Sequence, residues 1–196
     1  MRAAATGDRL LTVNRPRFLH LATHGTFLEA VPQTARTTPE DLTTRAIGLP
    51  QPLNPDQVRR DSPLLRAYLF FAGANQAAPK SALTALEAAQ LNLWGTRLVV
   101  LSACQTGVGE VRNGEGVYGL RRAFVLTGAQ TQVMSLWSVS DRATQMLMEN
   151  FYARLKRGEP RGEALRQAQI ALRRQTRYAH PFYWASFILT GDWRAM

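Results

Sequence analysis

The chain has 196 residues, enough for one domain with a substantial core, and its 45% hydrophobic and 19% charged content is that of a globular protein. Its longest apolar runs fall far short of the ~18 residues a membrane span needs, and a lone cysteine excludes an internal disulfide, so a reducing cytoplasm is the expected compartment. Basic residues exceed acidic ones by 10, and 22 of the 24 are arginine, a balance that raises nucleic acid as a partner without establishing it.

In chain order, the opening Met1-Arg2-Ala3-Ala4-Ala5-Thr6-Gly7 is too short an apolar stretch for a secretory signal, and residues 1 to 13 read as a short helix end. Pro16, whose missing N–H is tolerated at a strand start, precedes an apolar strand over Arg17–Ala22 that stops at His24-Gly25. From Gly25 to Ser62 the chain holds Pro32, Pro39, Pro50, Pro52 and Pro55; this predicts a mobile loop, proline-rich over 26–62. Leu64–Phe71 reads as a strand and Ser81–Leu91 as a short helix capped by Ser81. The run Arg97–Cys104 is a buried strand, followed by a glycine-rich loop over Gln105–Gly116 and a helix over Val117–Leu126 that ends at Gly128. Gln132–Trp137 is another strand, and Ser140 or Asp141 caps a helix reaching Lys156. A further helix spans Pro160–Arg177, with Ala164, Leu165, Ala168, Ala171 and Leu172 along one stripe, and Phe182–Leu189 is a last strand. Strands alternating with helices indicate an α/β domain with a mostly parallel sheet covered on both faces.

The basic excess concentrates between Phe151 and Tyr178, where Arg154, Lys156, Arg157, Arg161, Arg166, Arg173, Arg174 and Arg177 face only Glu159 and Glu163. No helix-turn-helix, zinc-finger spacing or aromatic-interleaved basic strand accompanies them, so a solvated face or a docking surface for an acidic partner is the expected use. The glycines between Gln105 and Gly116 lack the Gly-Lys-Ser/Thr of a phosphate loop and the spacing of a dinucleotide fingerprint. They predict a flexible loop beside the substrate. One cysteine and three scattered histidines supply no zinc site, and no cofactor is expected.

Two buried strands ending on Cys104 and on His24-Gly25 can hold a thiol and an imidazole at one rim of a parallel sheet. A thiolate is a strong nucleophile, and a neighbouring imidazole can take its proton and later deliver it to a leaving amine. Gly25 lets backbone approach a reacting carbonyl, so its N–H and that of Cys104 could form an oxyanion hole. His20 is assigned to the packed strand interior, His24 to the site, and His180, before Pro181, to a turn.

These endings are similar to the catalytic motifs of the caspase-like cysteine peptidases, and more specifically to the CHAT domain, a caspase-like domain often attached to tetratricopeptide repeats in bacteria. The resemblance is carried by Leu21-Ala22-Thr23-His24-Gly25, by Val99 to Gly107 around Ser102-Ala103-Cys104, and by Gly114-Glu115-Gly116. Ser135-Leu136-Trp137 with Asp141, His180 to Ala185 and Leu189-Thr190-Gly191-Asp192 extend it over most of Arg17 to Trp193. It implies a caspase-like three-layer sandwich in which Cys104 attacks a peptide carbonyl and His24 is the acid/base. It also implies a substrate-binding role for Asp141, as receiver of a basic P1 side chain, and for Ser102, Gln105 and Trp137. For Asp141 a plain helix N-cap is the competing role. Gln105 stands where relatives often carry a carboxylate, which bears on the preference for a basic P1.

The family's domain usually begins with further strands before the histidine strand, so a fragment or a truncated member with its N-terminal strands missing is expected, the whole of 1–196 being one domain. The expected function is a cysteine endopeptidase cleaving a protein substrate in a bacterial signalling or defence system, with a tetratricopeptide-repeat region as a further partner and neither nucleic acid nor membrane. The alternative is a catalytically silent interaction module of the same fold.

Overall fold

The computed structural model describes residues 6–27, 63–72, 74, 81–104, 115–138 and 140–196. A short helix α1 (Gly7–Leu11) leads to strand β1 (Phe18–Phe27); a single turn α2 (Pro63–Arg66) then leads directly into β2 (Ala67–Phe70). β3 (Ala82–Thr84) and the turn α3 (Ala85–Ala88) precede β4 (Leu98–Cys104), α4 (Glu115–Leu126) and β5 (Thr131–Ser135). Two longer helices, α5 (Asp141–Lys156) and α6 (Arg161–Arg173), a 3₁₀ turn (Thr176–Tyr178), the turn α7 (Pro181–Trp184) and β6 (Phe187–Gly191) complete the order.

Six strands form one sheet in the order β3-β2-β1-β4-β5-β6. The centre, β1-β4-β5, is parallel, while β2, β3 and β6 join antiparallel. Parallel strands at a sheet centre are covered on both faces, and their alternation divides the core here. Leu21, Val99, Leu101 and Met134 pack on one face with Leu120, Ala123 and Phe124 of α4. Leu98, Val100 and Val133 pack on the other with Leu147 and Phe151 of α5 and Ala164, Leu165, Ala168 and Leu172 of α6. Helices on both faces of a sheet make the α/β sandwich, with the caspase-like layering the sequence implies.

Several elements differ from the expectation, the longer β1 and the short β3 because a distant partner overrides a local pattern. β1 does not stop at His24: β2 pairs antiparallel with its second half, from His24↔Phe70 to Phe27↔Ala67, and draws it on to Phe27. The expected proline-rich loop falls mostly on residues 28–62, which lie outside the described part. The expected strand Leu64–Phe71 opens as a helical turn and becomes strand only from Ala67. The expected helix at Ser81 is instead β3, paired Tyr68↔Thr84 to Phe70↔Ala82, followed by one turn capped by Thr84. The last strand begins only at Phe187, because Pro181–Trp184 winds into a turn whose N-cap is His180, Nδ1 accepting from Phe182 N–H at 3.2 Å. α6 ends at Arg173.

Candidate active site

β1 and β4 run parallel in a register that pairs Phe18 with Leu98, Ala22 with Ser102 and His24 with Cys104. Neighbouring strands lie about 4.8 Å apart. The Cα positions of the two residues are thus direct neighbours at the point where β4 ends and β1 continues. The apolar repeat of both strands sets this alignment, since a slip of one residue would turn Val99 and Leu101 out of their core.

On the α5 side of the sheet the core stops short of this rim and leaves a cavity of about 660 Å³. Its floor is His20, Ala22, Thr23 and His24 from β1 with Ser102 from β4; its roof is Asp141, Thr144, Gln145, Met148, Glu149 and Tyr152 from α5, with Ser138 beside them. The roof residues recur at helical spacing on one stripe, which borders the buried stripe Ala143, Leu147, Phe151 and shares the buried Met148 with it.

His20 belongs to this cavity and not to the packed strand interior. Its Nε2 lies 3.2 Å from Ser102 Oγ and its Nδ1 3.0 Å from the Tyr152 hydroxyl, the two rings tilted at 5.7 Å. Burial lowers the His20 pKa, which keeps the ring neutral, and pushes the Tyr152 phenol up to about 12. A neutral imidazole donates from one nitrogen and accepts at the other, so the three side chains form an uncharged hydrogen-bonded chain.

Asp141 is the first residue of α5, and the N-cap position is held by Ser140, so Asp141 is not the cap. Its carboxylate is exposed to the cavity at the positive end of the helix dipole. The Thr144 hydroxyl oxygen is buried without a hydrogen-bond partner among the described residues. Trp137 is placed differently: its indole N–H donates to the Phe182 carbonyl at 3.0 Å and its ring packs on the α5–α6 core, tying the end of β5 to α7. Gly25 is buried inside β1 opposite Leu69. Gln105 and the glycines up to Gly114 lie outside the described residues.

The basic window is largely spoken for within the fold. Arg161 is only 2% exposed and donates to the carbonyls of Arg97 and Arg194 while pairing with Asp192 at 2.9 Å. Arg154 and Arg157 share Glu159, Arg166 holds Glu163, and Arg173 lies over the Trp184 ring. Hydrogen bonds from Arg166 and then Gln167 hold the Glu163 carboxyl at about 2.

The family model of the CHAT domain matches residues 1–192. The chain belongs to the CHAT domain family. CHAT domains are caspase-like, in keeping with the sandwich and with the register that sets His24 within β1 beside Cys104 at the end of β4. A stretch of 110 residues is 37% identical to tetratricopeptide repeat protein 28 of Homo sapiens and 36% identical to its Mus musculus counterpart, covering 56% of this chain. The chain spans about 4% of the length of those relatives. Among the described residues of this CHAT domain, no helix is long and apolar enough to cross a membrane.

Of the residues singled out from the sequence, His24, Ser102 and Asp141 line the cavity and Cys104 is the register partner of His24, while Gln145, Glu149 and Tyr152 line it without having been singled out. The signal was present: 141, 145, 149 and 152 form one polar stripe of the predicted helix. His20 carried a signal too, sharing strand parity with His24.

Proposed function

We propose that this CHAT domain is a cysteine endopeptidase in which Cys104 is the nucleophile and His24 the general acid/base. The observation that carries the reading is the pairing of His24 with Cys104 on adjacent parallel strands at the edge of the cavity. The Cys104 thiolate adds to the peptide carbonyl carbon, its oxygen takes up the negative charge, and His24 delivers a proton to the leaving amine. Water then hydrolyses the thioester, giving its proton to the histidine. The backbone N–H groups of Gly25 and Cys104 are the candidate oxyanion donors. Asp141 receives a basic P1 side chain, and Ser102 lines the same pocket. The tetratricopeptide-repeat relatives support a protein that works beside such repeats; signalling or defence is the setting proposed for it.

Replacing Cys104 by Ala should abolish cleavage of the protein substrate, and equal cleavage by the variant would refute the mechanism. Labelling of Cys104 by a peptide chloromethylketone, suppressed by His24→Ala, separates this reading from a silent interaction module. Labelling no faster than that of an unfolded control favours the module.

A further inference from the structure

At the end of the sheet remote from the cavity the chain is tied together strand by strand. Arg97 N–H donates to the Arg17 carbonyl at 3.0 Å, Gln130 N–H to the Thr96 carbonyl at 2.9 Å and Asp192 N–H to the Gln130 carbonyl at 2.9 Å. Thr96, Gln130 and Asp192 thus stand at three neighbouring strand ends, about 10 Å across. By the register this end lies about 20 Å along the strands from His24 and Cys104. A tryptophan flanks the row on each face of the sheet. Trp94, 70% exposed, lies against Gly128 on the α4 face, and Trp193, 65% exposed, lies against Gly162 at the start of α6. Tryptophan is highly buried on average, so two such rings left in water at one end of a molecule point to a partner.

Arginine accompanies them. Arg15 N–H donates to the Asn92 carbonyl at 2.8 Å and its Nε to the Trp94 carbonyl at 3.1 Å, which fixes the guanidinium beside that loop. The Arg15 backbone is held at φ +50°, in the left-handed region that residues other than glycine rarely adopt. Arg17 lies over the Phe18 ring at 5.6 Å, and Arg194 is exposed. Buried Arg161 donates to the carbonyls of Arg97 and Arg194 and so keeps those two together. The carboxylates nearby are already taken, Asp192 by Arg161 and Arg194, and Glu159 by Arg154 and Arg157. Arg15, Arg17 and Arg97 pair with no carboxylate among the described residues.

We propose that this end of the sheet binds a single-stranded nucleic acid, its bases stacking on Trp94 and Trp193 and its phosphates lying on Arg15, Arg17, Arg97 and Arg194. Exposed flat rings set among cations match a ligand that alternates flat bases with anionic phosphates. An acidic peptide would use the charge and leave the rings idle. The cation is arginine throughout, whose planar fork pairs bidentately with phosphate oxygens and also stacks on bases. A duplex hides its base faces, so the rings select the single strand. Base face and phosphate are common to DNA and RNA, and the surface takes either. The excess of positive charge adds attraction at a distance. The four arginines lie far apart in sequence, and the window Phe151–Tyr178 supplies only Arg161, which braces Arg97 and Arg194 from inside. No basic run therefore marks this surface in the sequence, which raised no expectation of nucleic acid.

The test follows the fluorescence anisotropy of labelled oligothymidylate and oligouridylate, each of about 15 nucleotides, titrated with the full chain. Both should bind, and affinity should fall roughly tenfold between about 50 and 150 mM salt, as expected for about three phosphate contacts on a single strand. Arg15→Gln combined with Arg17→Gln should lower the slope of that salt dependence by about 1.4. Trp193→Ala should weaken binding about tenfold. Trp94→Phe combined with Trp193→Phe, which keeps both rings, should bind nearly as wild type yet lose the quenching of tryptophan fluorescence by the oligonucleotide. Arg174→Gln combined with Arg177→Gln, beyond the other end of α6, should change neither affinity nor slope. No wild-type binding at the lower salt overturns the proposal, and so does binding that the Arg15, Arg17 and Trp193 variants leave unchanged. Quenching that survives in the double phenylalanine variant also overturns it. Polyglutamate competing as well as the oligonucleotides overturns it too, and assigns the surface to an acidic protein segment. None of these outcomes bears on the dyad.

Discussion

His20 is a histidine whose protonation state is decided by its neighbours. Burial between Ser102 and Tyr152 lowers its pKa, so when the pH falls below the ordinary histidine value of about 6.5 the unfolded chain takes up a proton that the folded chain does not. Stability contributed by the neutral ring is therefore fully present above that value and is lost as the pH falls towards the lower folded pKa. Urea midpoints at pH 7.5 and 5.5 should diverge more in wild type than in His20→Gln; identical divergence would contradict the argument. The sequence showed that His20 and His24 share a strand face. What it could not show was Tyr152, 132 positions away, arriving over that face and turning a core-like histidine into a wall of the cavity.

At the scale of elements, the legible parts were those whose pattern is complete within their own residues. β4 has its apolar run, α5 and α6 their buried stripes, and α4 its stop at Gly128, where φ is +87° and a side chain would strike the Trp94 ring. The illegible parts were those defined by a partner. β3 is three residues long and exists because β2 offers it an edge, and the far half of β1 exists because β2 returns alongside it. The turn after β3 is held by a reciprocal cap: Glu87 N–H donates to Thr84 Oγ1 at 3.1 Å, and Thr84 N–H donates to the Glu87 carboxylate at 2.8 Å. Thr84→Ala should cost about 1 kcal/mol in denaturant unfolding. A loss below 0.3 kcal/mol, on the order of an exposed surface change, would show that β2–β3 pairing alone holds the turn.

Across the whole molecule, the arginines the composition offered to a nucleic acid serve partly as internal fasteners. Arg161 joins the start of α6 to the carbonyl before β4 and to the chain's last turn, three places far apart in sequence. Arg161→Met keeps the apolar stem but removes the side-chain donors to the Arg97 and Arg194 carbonyls, the latter keeping the Arg161 backbone N–H at 3.2 Å, and breaks the pair with Asp192; it should lower the unfolding free energy by roughly 3 kcal/mol in urea titration. A value within 0.5 kcal/mol of wild type, the range of about that size expected for surface sites, would remove Arg161 from that role. The pairing of His24 with Cys104 has a consequence of its own at this scale. Leucines and valines deeper in the two strands hold it in line. Under the proposed mechanism chemistry and architecture are therefore separable: a single substitution at His24 or Cys104 is expected to silence the reaction and leave the sandwich standing.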